Sequence, residues 1–378
     1  MMKKFVINVF FFCAPLLLFA IPPFLALKIS RENYFEIDNV VTRKKKYLIG
    51  YAYNEPNYGY LKWKEVTSKP KQNILAVGSS RILQFRAKMF QSSFYNAGYT
   101  IISISEFVPF LKSIPKSKYP EVLIVNLDQW MFNKRSDPLS SGNPIDKWKN
   151  SFRKNASATT LNNVWQDLLT GKYGYVSLLK TSGEKGLEKI GLNAAVNDKG
   201  FRNDGSIFYG DQITKLMNND STANDYLYND TYKRIAAGNN KFEYASEVNP
   251  KALFELDNLL KFCAVNNIYV VAFLPPYANK VNEKMQQSGN YSYMSKIYPA
   301  AVSIFKKYGF ELWDMTLLGK YGSDDGETID GFHGGEVTYQ KMLIYMIENN
   351  SRLKDYTSLP KLQSDLNHKL NNYIVYGY

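Results

Sequence analysis

The stretch ILAVGSS, residues 74–80, decides the fold of this 378-residue chain. Four apolar residues run without interruption into Gly78, and two serines follow at once. A continuous apolar run of this length is typical of a strand buried on both faces, and a glycine at its end marks a turn. The sequence therefore predicts a buried strand whose carboxyl end presents Ser79 and Ser80.

The residues that follow alternate between helical spacing and apolar runs. In chain order these are SRILQFRAKMF (80–90, helical), FYNAG (94–98), SEFVPFLKSI (105–114, helical) and EVLIVNLD (121–128). The pattern resumes with a helix at 250–266, IYVVAFLPP (268–276), a helix at 292–308, FELWDM (310–315) and a helix at 335–348. Buried strands separated by helices predict a parallel sheet covered on both faces. The expected fold is α/β, a flavodoxin-like three-layer domain with about five parallel strands.

Turn signals and changes of composition suggest how the chain is divided. We expect a membrane anchor at 1–28, a membrane-proximal stalk at 29–72, the α/β domain at 73–350 and a C-terminal tail at 351–378. Residues 134–249 lack the alternation and are rich in Asn, Asp, Gly, Ser and Lys. They are interpreted as an insertion at the carboxyl edge of the sheet, where such a domain binds its ligand.

The anchor is predicted from the uncharged run FVINVFFFCAPLLLFAIPPFLAL, residues 5–27. It is long enough to cross a hydrocarbon layer of about 30 Å as a helix. A cleaved signal peptide is the alternative, because Lys3 and Lys4 form a basic start. The run is longer than a typical signal core and lacks a clean small-x-small cleavage site, which favours the uncleaved anchor.

The charges that flank the anchor conflict over its orientation. Lys3 and Lys4 favour a cytoplasmic amino terminus, whereas the cluster RKKK at 43–46 would hold the rest of the chain in the cytoplasm. Loop charge controls long translocated domains only weakly. Together with the chemistry below, this favours a single-pass protein of the cell membrane with an extracytoplasmic domain.

Composition narrows the choice of partners. A formal net charge of +13 suits anionic partners, although a general enrichment in lysine explains it as well. No basic patch interleaved with aromatic residues resembles a nucleic-acid module, so nucleic acid is not expected as a partner. Two cysteines, Cys13 and Cys263, and two histidines, His333 and His368, offer neither a disulfide framework nor the ligands of a zinc site. We expect no metal.

Chemically useful side chains fall at the predicted strand ends. Ser80 follows the first strand, and His333 follows the fifth with Asp330 three positions before it. Histidine can deprotonate a serine near neutral pH, and a carboxylate can orient the imidazole and stabilise its charged form. A serine at a strand-to-helix turn can also supply its own N–H to an oxyanion. The pattern predicts a triad of Ser80, His333 and Asp330.

These motifs resemble those of the SGNH or GDSL-like esterases and acyltransferases. The first block of that family, Gly-Asp-Ser, is similar to Gly78-Ser79-Ser80, with a serine in place of the aspartate. The second block is a glycine whose N–H faces the oxyanion, and NAG supplies Gly98. The last block, Asp-x-x-His, matches DGFH at 330–333. The resemblance covers about 73–133 and 250–350.

The third block departs from the family, which has Gly-x-Asn-Asp with the Asn side chain as an oxyanion donor. Here the sequence is NLDQWMF, in which Gln129 falls near that position and Asn126 is the other amide. The resemblance implies an oxyanion role for Gln129, and a structural amide is the alternative. A Gln-Trp after strand three and a serine pair also occur in the teichoic acid D-alanyl transfer protein. That protein and the alginate O-acetyltransferases belong to a membrane-anchored, extracytoplasmic branch of the family, which this chain resembles.

The resemblance implies a membrane-anchored serine esterase or O-acyltransferase that acts on acyl esters of a cell-envelope glycan or polysaccharide, without a cofactor. A multi-spanning membrane acyltransferase is the implied partner. Two alternatives stay open at this point. One is a catalytically inactive SGNH-like domain that binds glycan or scaffolds such an acyltransferase, and the other is a cytoplasm-facing lipid or thioester hydrolase.

Within the predicted insertion, GLNAAVNDKGFRNDGSIFYG at 191–210 is dense in Gly, Asn and Asp. It does not have the spacing of an EF-hand calcium loop, so turn chemistry explains its composition. A substrate-shaping loop is the functional alternative, with Arg202 as a candidate contact to an anionic sugar or phosphate. His368, in a polar segment, is expected at the surface.

Overall fold

The computed structural model describes residues 2–32, 37–42, 45–139, 142–151, 156–182 and 186–378, with backbone alone for 180–182. The chain forms two compact units. The first contains residues 1–57, 151–203 and 208–211, and the second contains residues 58–150, 204–207 and 212–378. Arg43 and Lys44 of the basic cluster lie outside the described residues.

The strands are short, as expected of apolar runs bounded by turns. In chain order they are β1 (Tyr47–Ile49), β2 (Ile74–Gly78), β3 (Phe94–Gly98), β4 (Val122–Asn126), β5 (Glu188–Ile190), β6 (Gly200–Phe201), β7 (Ile207–Phe208), β8 (Tyr269–Leu274) and β9 (Glu311–Asp314).

The helices range from one turn to a length that suits a membrane. They are α1 (Met2–Ile29), α2 (Ile37–Val41), α3 (Asn57–Ser68), α4 (Phe107–Lys112), α5 (Pro144–Ser151), α6 (Ala158–Leu169), α7 (Tyr175–Ser182), α8 (Leu192–Asn197), α9 (Asp211–Met217), α10 (Asn229–Ala237), α11 (Pro250–Val265), α12 (Asn279–Ser288), α13 (Tyr293–Tyr308), α14 (Glu336–Glu348) and α15 (Leu359–Asn367).

A five-stranded sheet forms the centre of the second unit. Its strand order is β3-β2-β4-β8-β9, and every neighbouring pair is parallel. The prediction of a parallel sheet of about five strands is therefore confirmed. Because the strands are parallel, their carboxyl ends meet at one edge, which brings the segments after β2, β3 and β4 together.

Side chains alternate between two apolar cores on opposite faces of this sheet. On β4, Leu123 and Val125 pack into one core, and Val122 and Ile124 pack into the other. The first core is covered by α4, α11 and α13, and the second by α14 and α15. Helices therefore cover both faces, which gives the predicted three layers and explains why the strands are apolar throughout.

The helix predicted at 80–90 is not formed. The structure has two short 3₁₀ turns there, Ser80–Ile82 and Ala87–Met89. Between them Arg86 is extended, because the Asp204 carboxylate accepts hydrogen bonds from both the Arg86 Nε and the Ala87 N–H. This long-range anchor outweighs the local helical spacing, which carries only a weak preference.

The predicted segments outside the sheet are divided between the two units. Of the expected stalk at 29–72, α2 and β1 belong to the first unit and α3 to the second. Of the expected insertion at 134–249, residues 151–203 belong to the first unit and 212–249 to the second. Residues 351–378 contain α15 and belong to the second unit, where the Glu336 carboxylate accepts from the backbone N–H groups of Val375 and Tyr376.

The first unit combines α1 with a small sheet. In this sheet β1 pairs in parallel with β5 and antiparallel with β6. Glu32, just after α1, accepts hydrogen bonds from the backbone N–H groups of Ala52, Tyr53, Asn54 and Leu192. By length and composition α1 could cross a membrane.

Gly78 allows a close approach at the carboxyl edge of the large sheet. A Cβ on Gly78 would lie 1.5 Å from Oδ1 of Asn126, the last residue of the neighbouring strand β4. That oxygen accepts a hydrogen bond from the Ser79 N–H at 2.9 Å. Glycine is therefore required where the Asn126 side chain crosses above β2.

Substituting Gly78→Ala should destabilise the protein, because the new methyl group displaces the buried Asn126 amide. Overpacking of this kind costs about 1–3 kcal/mol, which urea denaturation followed by circular dichroism would measure. Gly319→Ala is the matched control, since its Cβ would meet no atom within 4 Å. Equal stability of the two variants would contradict the assigned packing.

Candidate active site

The segment after β2 fixes the position of Ser80. Ser79 is the N-cap of the 3₁₀ turn Ser80–Ile82, and its Oγ accepts a hydrogen bond from the Arg81 N–H at 3.1 Å. The Asn126 Nδ2 donates to the same Oγ at 3.2 Å. Ser79 therefore caps the turn that carries Ser80. A capping serine is one of the preferred residues at such a position.

His333 lies within hydrogen-bond distance of Ser80. The Ser80 Oγ and the His333 Nε2 are 2.8 Å apart, and the His333 Nδ1 is 2.7 Å from the Asp330 Oδ2. An ionised Asp330 can only accept, so Nδ1 carries the proton and Nε2 has the lone pair that accepts the Ser80 hydroxyl proton. The structure thus brings together the three predicted triad residues, although Ser80 and His333 are 253 positions apart in sequence.

The Asp330 carboxylate is held by its own loop. Its Oδ1 accepts hydrogen bonds from the backbone N–H groups of Phe332 and His333 at 2.9 and 2.8 Å. Burial alone would raise the pKa of this carboxyl, but the charge of His333 and the three hydrogen bonds together lower the pKa of Asp330 below its ordinary value. Asp330 is therefore ionised wherever the protein is folded near neutral pH.

A second aspartate fixes the loop from the other side. Asp225 Oδ2 accepts from the Gly331 N–H at 3.1 Å, and Asp225 Oδ1 accepts from the Thr231 N–H at 2.9 Å. Thr231 packs so closely that a Cβ on Gly331 would lie 2.7 Å from its Oγ1. Asp225 and Thr231 come from the predicted insertion, so that segment positions the His333 loop.

The Arg81 guanidinium joins the Ser80 segment to the His333 loop. Its Nε donates to the Phe332 carbonyl at 2.9 Å, next to His333. Its remaining nitrogens donate to Asp128 Oδ1, Gln129 Oε1 and the carbonyls of Pro275 and Pro276. The side chain is fully buried, with its charge 4.3 Å from the centre of the Tyr277 ring. The five donors of a guanidinium suit such a set of oxygens, whereas a lysine would reach only part of it.

Gln129 is a structural amide, and the oxyanion role predicted for it is wrong in this structure. Its Oε1 accepts from Arg81 at 2.8 Å, and its Nε2 donates to the Pro275 carbonyl at 2.8 Å. With both ends of the amide bound and 1% of the residue exposed, Gln129 has no donor for a substrate. Asn126, the other amide of that block, is bound to Ser79 as described above.

The Gly98 N–H also has a partner. It donates to the Asn96 Oδ1 at 2.9 Å, within its own strand end. This geometry contradicts the prediction that the Gly98 N–H is directed at an oxyanion. The neighbouring N–H groups of Thr100 and Ile101 donate to the Gly78 carbonyl. In the part of the chain that the structure describes, no acceptor binds the Ser80 N–H.

Arg202 is not in the unit that carries Ser80, His333 and Asp330. It belongs to the first unit, is 6% exposed and has its guanidinium 4.8 Å from the centre of the Phe208 ring. Its predicted contact with an anionic sugar or phosphate stays a prediction. His368 is exposed at the end of α15, as predicted.

Sequence reasoning missed Arg81, Asp225 and Thr231. Arg81 directly follows the candidate nucleophile, and an arginine between a serine and an apolar run was the available signal. Asp225 and Thr231 gave no signal, because only the fold brings them to Gly331. In the described residues, no group of three or more His, Cys, Asp or Glu side chains is placed to hold a metal.

Fold and site together define a three-layer α/β domain with a hydrogen-bonded serine, histidine and aspartate at the carboxyl edge of its sheet. In comparisons with known proteins, this chain matches no protein-family model and no curated protein.

Replacing Arg81 by Met should cost about 3–5 kcal/mol of stability, because it leaves a buried carboxylate, Asp128, without its partner. The free energy of unfolding in urea measures this cost. Arg135→Met is the control, since Arg135 is exposed on the same unit and its change should stay within about 0.5 kcal/mol. A cost at Arg81 no larger than that of the control would refute the buried clamp.

The lowered pKa of Asp330 predicts a change of stability with pH. A carboxyl with a folded-state pKa below its unfolded value contributes stability above the unfolded value, here 3.8, and loses it as pH falls through the folded value. Asp330→Asn should therefore lose the most stability near neutral pH, and its deficit against the wild type should shrink as pH falls below 3.8. Urea titrations at several pH values measure the deficit, with exposed Asp355→Asn as control. A deficit that does not change with pH would contradict the assignment.

Proposed function

We propose that this protein is a membrane-anchored, serine-dependent esterase or O-acyltransferase that acts on acyl esters of a cell-envelope glycan. The observation that carries the proposal is the chain of hydrogen bonds from Ser80 Oγ through His333 to Asp330. This constellation at the carboxyl edge of a parallel sheet suits nucleophilic acyl transfer. The SGNH-like blocks at 78–80 and 330–333 and the apolar helix α1 support the class and its location.

In the proposed reaction, the Ser80 Oγ attacks the acyl carbonyl while its proton moves to His333 Nε2. The Asp330 carboxylate stabilises the resulting imidazolium and keeps the ring oriented. Collapse of the tetrahedral intermediate breaks the ester bond, and His333 returns the proton to the leaving oxygen. An acceptor hydroxyl then attacks the acyl-serine with His333 as base. Water as acceptor gives hydrolysis, and a sugar hydroxyl gives transfer.

The proposed domain faces the extracytoplasmic side, and a multi-spanning membrane acyltransferase would deliver the acyl group. Both statements rest on the resemblance to membrane-anchored SGNH-like proteins of the envelope. Envelope glycans occur outside the membrane, so a domain that modifies them has to be carried across it. The side chains of Ser80, His333 and Asp330 come from the same edge of the sheet, where a polymer could be presented from solution.

A second candidate is an inactive glycan-binding or scaffolding domain. The hydrogen bonds of Gly98 and Gln129 favour it, because they occupy two of the predicted oxyanion donors. The Ser80 N–H would then be the donor left for the developing charge. Loss of one oxyanion donor typically costs about 10²–10³ in kcat, so a domain without the others would bind an acylated glycan better than it would cleave it.

The proposal is tested with the full-length chain in detergent, with an activated acetyl ester that carries a good leaving group as substrate and a fluorophosphonate as covalent probe. Wild-type protein should release acetate and gain one phosphonyl group on the Ser80 peptide, detected by mass spectrometry. Ser80→Ala should lose the adduct and lower kcat/KM by about 10³-fold or more. His333→Ala should have a similar effect, because it removes the base.

Ser303→Ala is the matched control, since Ser303 is an exposed serine on α13 and its loss should change neither readout. If the wild type forms no adduct and releases acetate no faster than Ser80→Ala, the catalytic proposal is wrong. Retained binding of an acetylated oligosaccharide by that inactive protein would then establish the binding domain instead.

A further inference from the structure

Three large apolar side chains stand exposed on two helices of the first unit. Leu169 at the end of α6 is 78% exposed, and Val176 and Leu179 on α7 are 68% and 59% exposed. Single exposed apolar residues are common on soluble proteins and need no explanation. These three differ because α6 and α7 both contact α1, whose own side chains are apolar and exposed.

The contact with α1 follows from two adjacent prolines. Pro22 and Pro23 have no N–H, so the carbonyls of Leu18 and Phe19 lose the helical donors four residues later. The Trp165 Nε1 of α6 donates to the Phe19 carbonyl at 2.6 Å, and its ring stacks on Phe19 at 6.4 Å. One carbonyl that Pro23 leaves without its helical donor is thus satisfied by a side chain of α6.

A second aromatic residue binds α1 one turn further along. The Tyr175 OH of α7 donates to the Pro22 carbonyl at 2.6 Å. Beyond this point one face of α1 is buried in its own unit, at Pro23, Ala26 and Leu27. Trp165 and Tyr175 therefore mark the level at which α1 passes from an exposed apolar helix into the folded unit.

The length of the apolar run places this level within the membrane. A hydrocarbon core of about 30 Å needs about 20 helical residues. Counted from Phe5, the first residue after Lys3 and Lys4, such a span reaches Phe24. Phe19 then lies about 7 Å inside the core at 1.5 Å per residue. The groups that contact Phe19 and Pro22 must lie at the same depth.

We infer that α6 and α7 lie at the boundary between the interfacial layer and the hydrocarbon core of the membrane that α1 crosses, with Leu169, Val176 and Leu179 immersed in lipid. The inference rests on the proposed membrane anchoring of α1 and is independent of the chemistry at Ser80. Trp and Tyr favour this layer because their rings are apolar and their N–H or O–H groups are polar. Since α6 and α7 contact α1 and each of the three helices exposes large apolar side chains, lipid is the occupant that suits these side chains.

The test uses full-length protein in phosphatidylcholine vesicles and the environment-sensitive fluorophore NBD on single cysteines. Cys13, in the middle of α1, is labelled in the wild type, because Cys263 is fully buried. Leu169→Cys, Val176→Cys and the control Val265→Cys are labelled in a Cys13→Ser background. Val265 is an apolar residue on α11 of the second unit and is 74% exposed.

We expect NBD at positions 169 and 176 to show blue-shifted emission and to lose intensity in vesicles of brominated lipid, approaching the loss seen at Cys13. NBD at position 265 should keep the emission of a label in water. Water-like emission at 169 and 176 with quenching at Cys13 would overturn the inference and leave the anchor intact. Absence of quenching at Cys13 would overturn the anchor as well.

Two further outcomes would also overturn the inference. Blue-shifted emission at 176 that depends on protein concentration, without quenching by brominated lipid, would identify a second copy of the chain as the occupant. Equal quenching at positions 176 and 265 would mean that the protein adheres to lipid generally. None of these readouts depends on whether Ser80 is catalytic, so a failure here is distinct from a failure of the proposed reaction.

Discussion

The buried guanidinium of Arg81 is the interaction on which the candidate site depends. It binds oxygens that follow β4 and β8, and it also binds the Phe332 carbonyl beside His333. A buried charge is costly unless its donors are satisfied, so these oxygens must be in place for the fold to be stable. The same interaction that closes the sheet edge therefore sets where Ser80 and His333 meet. The Tyr339 hydroxyl, which donates to the Arg81 carbonyl, ties this residue to α14 as well.

Two buried asparagines perform a comparable role for the loops. Asn126 binds the backbone and hydroxyl of Ser79, and Asn96 accepts from Gly98 while donating to the carbonyls of Ile82 and Phe85. Both are completely buried, and each satisfies backbone groups that no strand can pair. In this arrangement Asn126, one of the two amides of the third block, holds the scaffold. Leaving these backbone groups without a hydrogen bond would be costly, and the side-chain amides of Asn126 and Asn96 avoid that cost.

The parts of the fold that the sequence predicted are those set by local pattern. The strands within runs such as 74–78 and 121–128 are apolar because both faces of the sheet are covered. These strands lie side by side in the sheet. Ser80, Asp330 and His333 could be assigned since they follow strands that end at one edge. The helix expected at 80–90 failed because Asp204, more than a hundred residues away, fixes the backbone of Arg86 and Ala87. Roles for Gln129, Gly98 and Arg202 depended on which partner each side chain or N–H meets, and residue spacing carries no information about that.

The site is organised unequally for the two demands of acyl transfer. The groups that would activate the proposed nucleophile are in place without a ligand, because Asp330 is held by two backbone N–H groups and the His333 ring is bound at both nitrogens. The groups that would stabilise the developing negative charge are less complete. Among the described residues, no acceptor binds the Ser80 N–H, which is therefore available as a donor. A serine of this kind would be acylated readily only by a donor with a good leaving group, where little charge accumulates on the carbonyl oxygen. An ordinary sugar ester would require a further donor near that oxygen. If the proposed acyl transfer takes place at this serine, the difference makes activated acyl donors better suited as substrates than ordinary sugar esters.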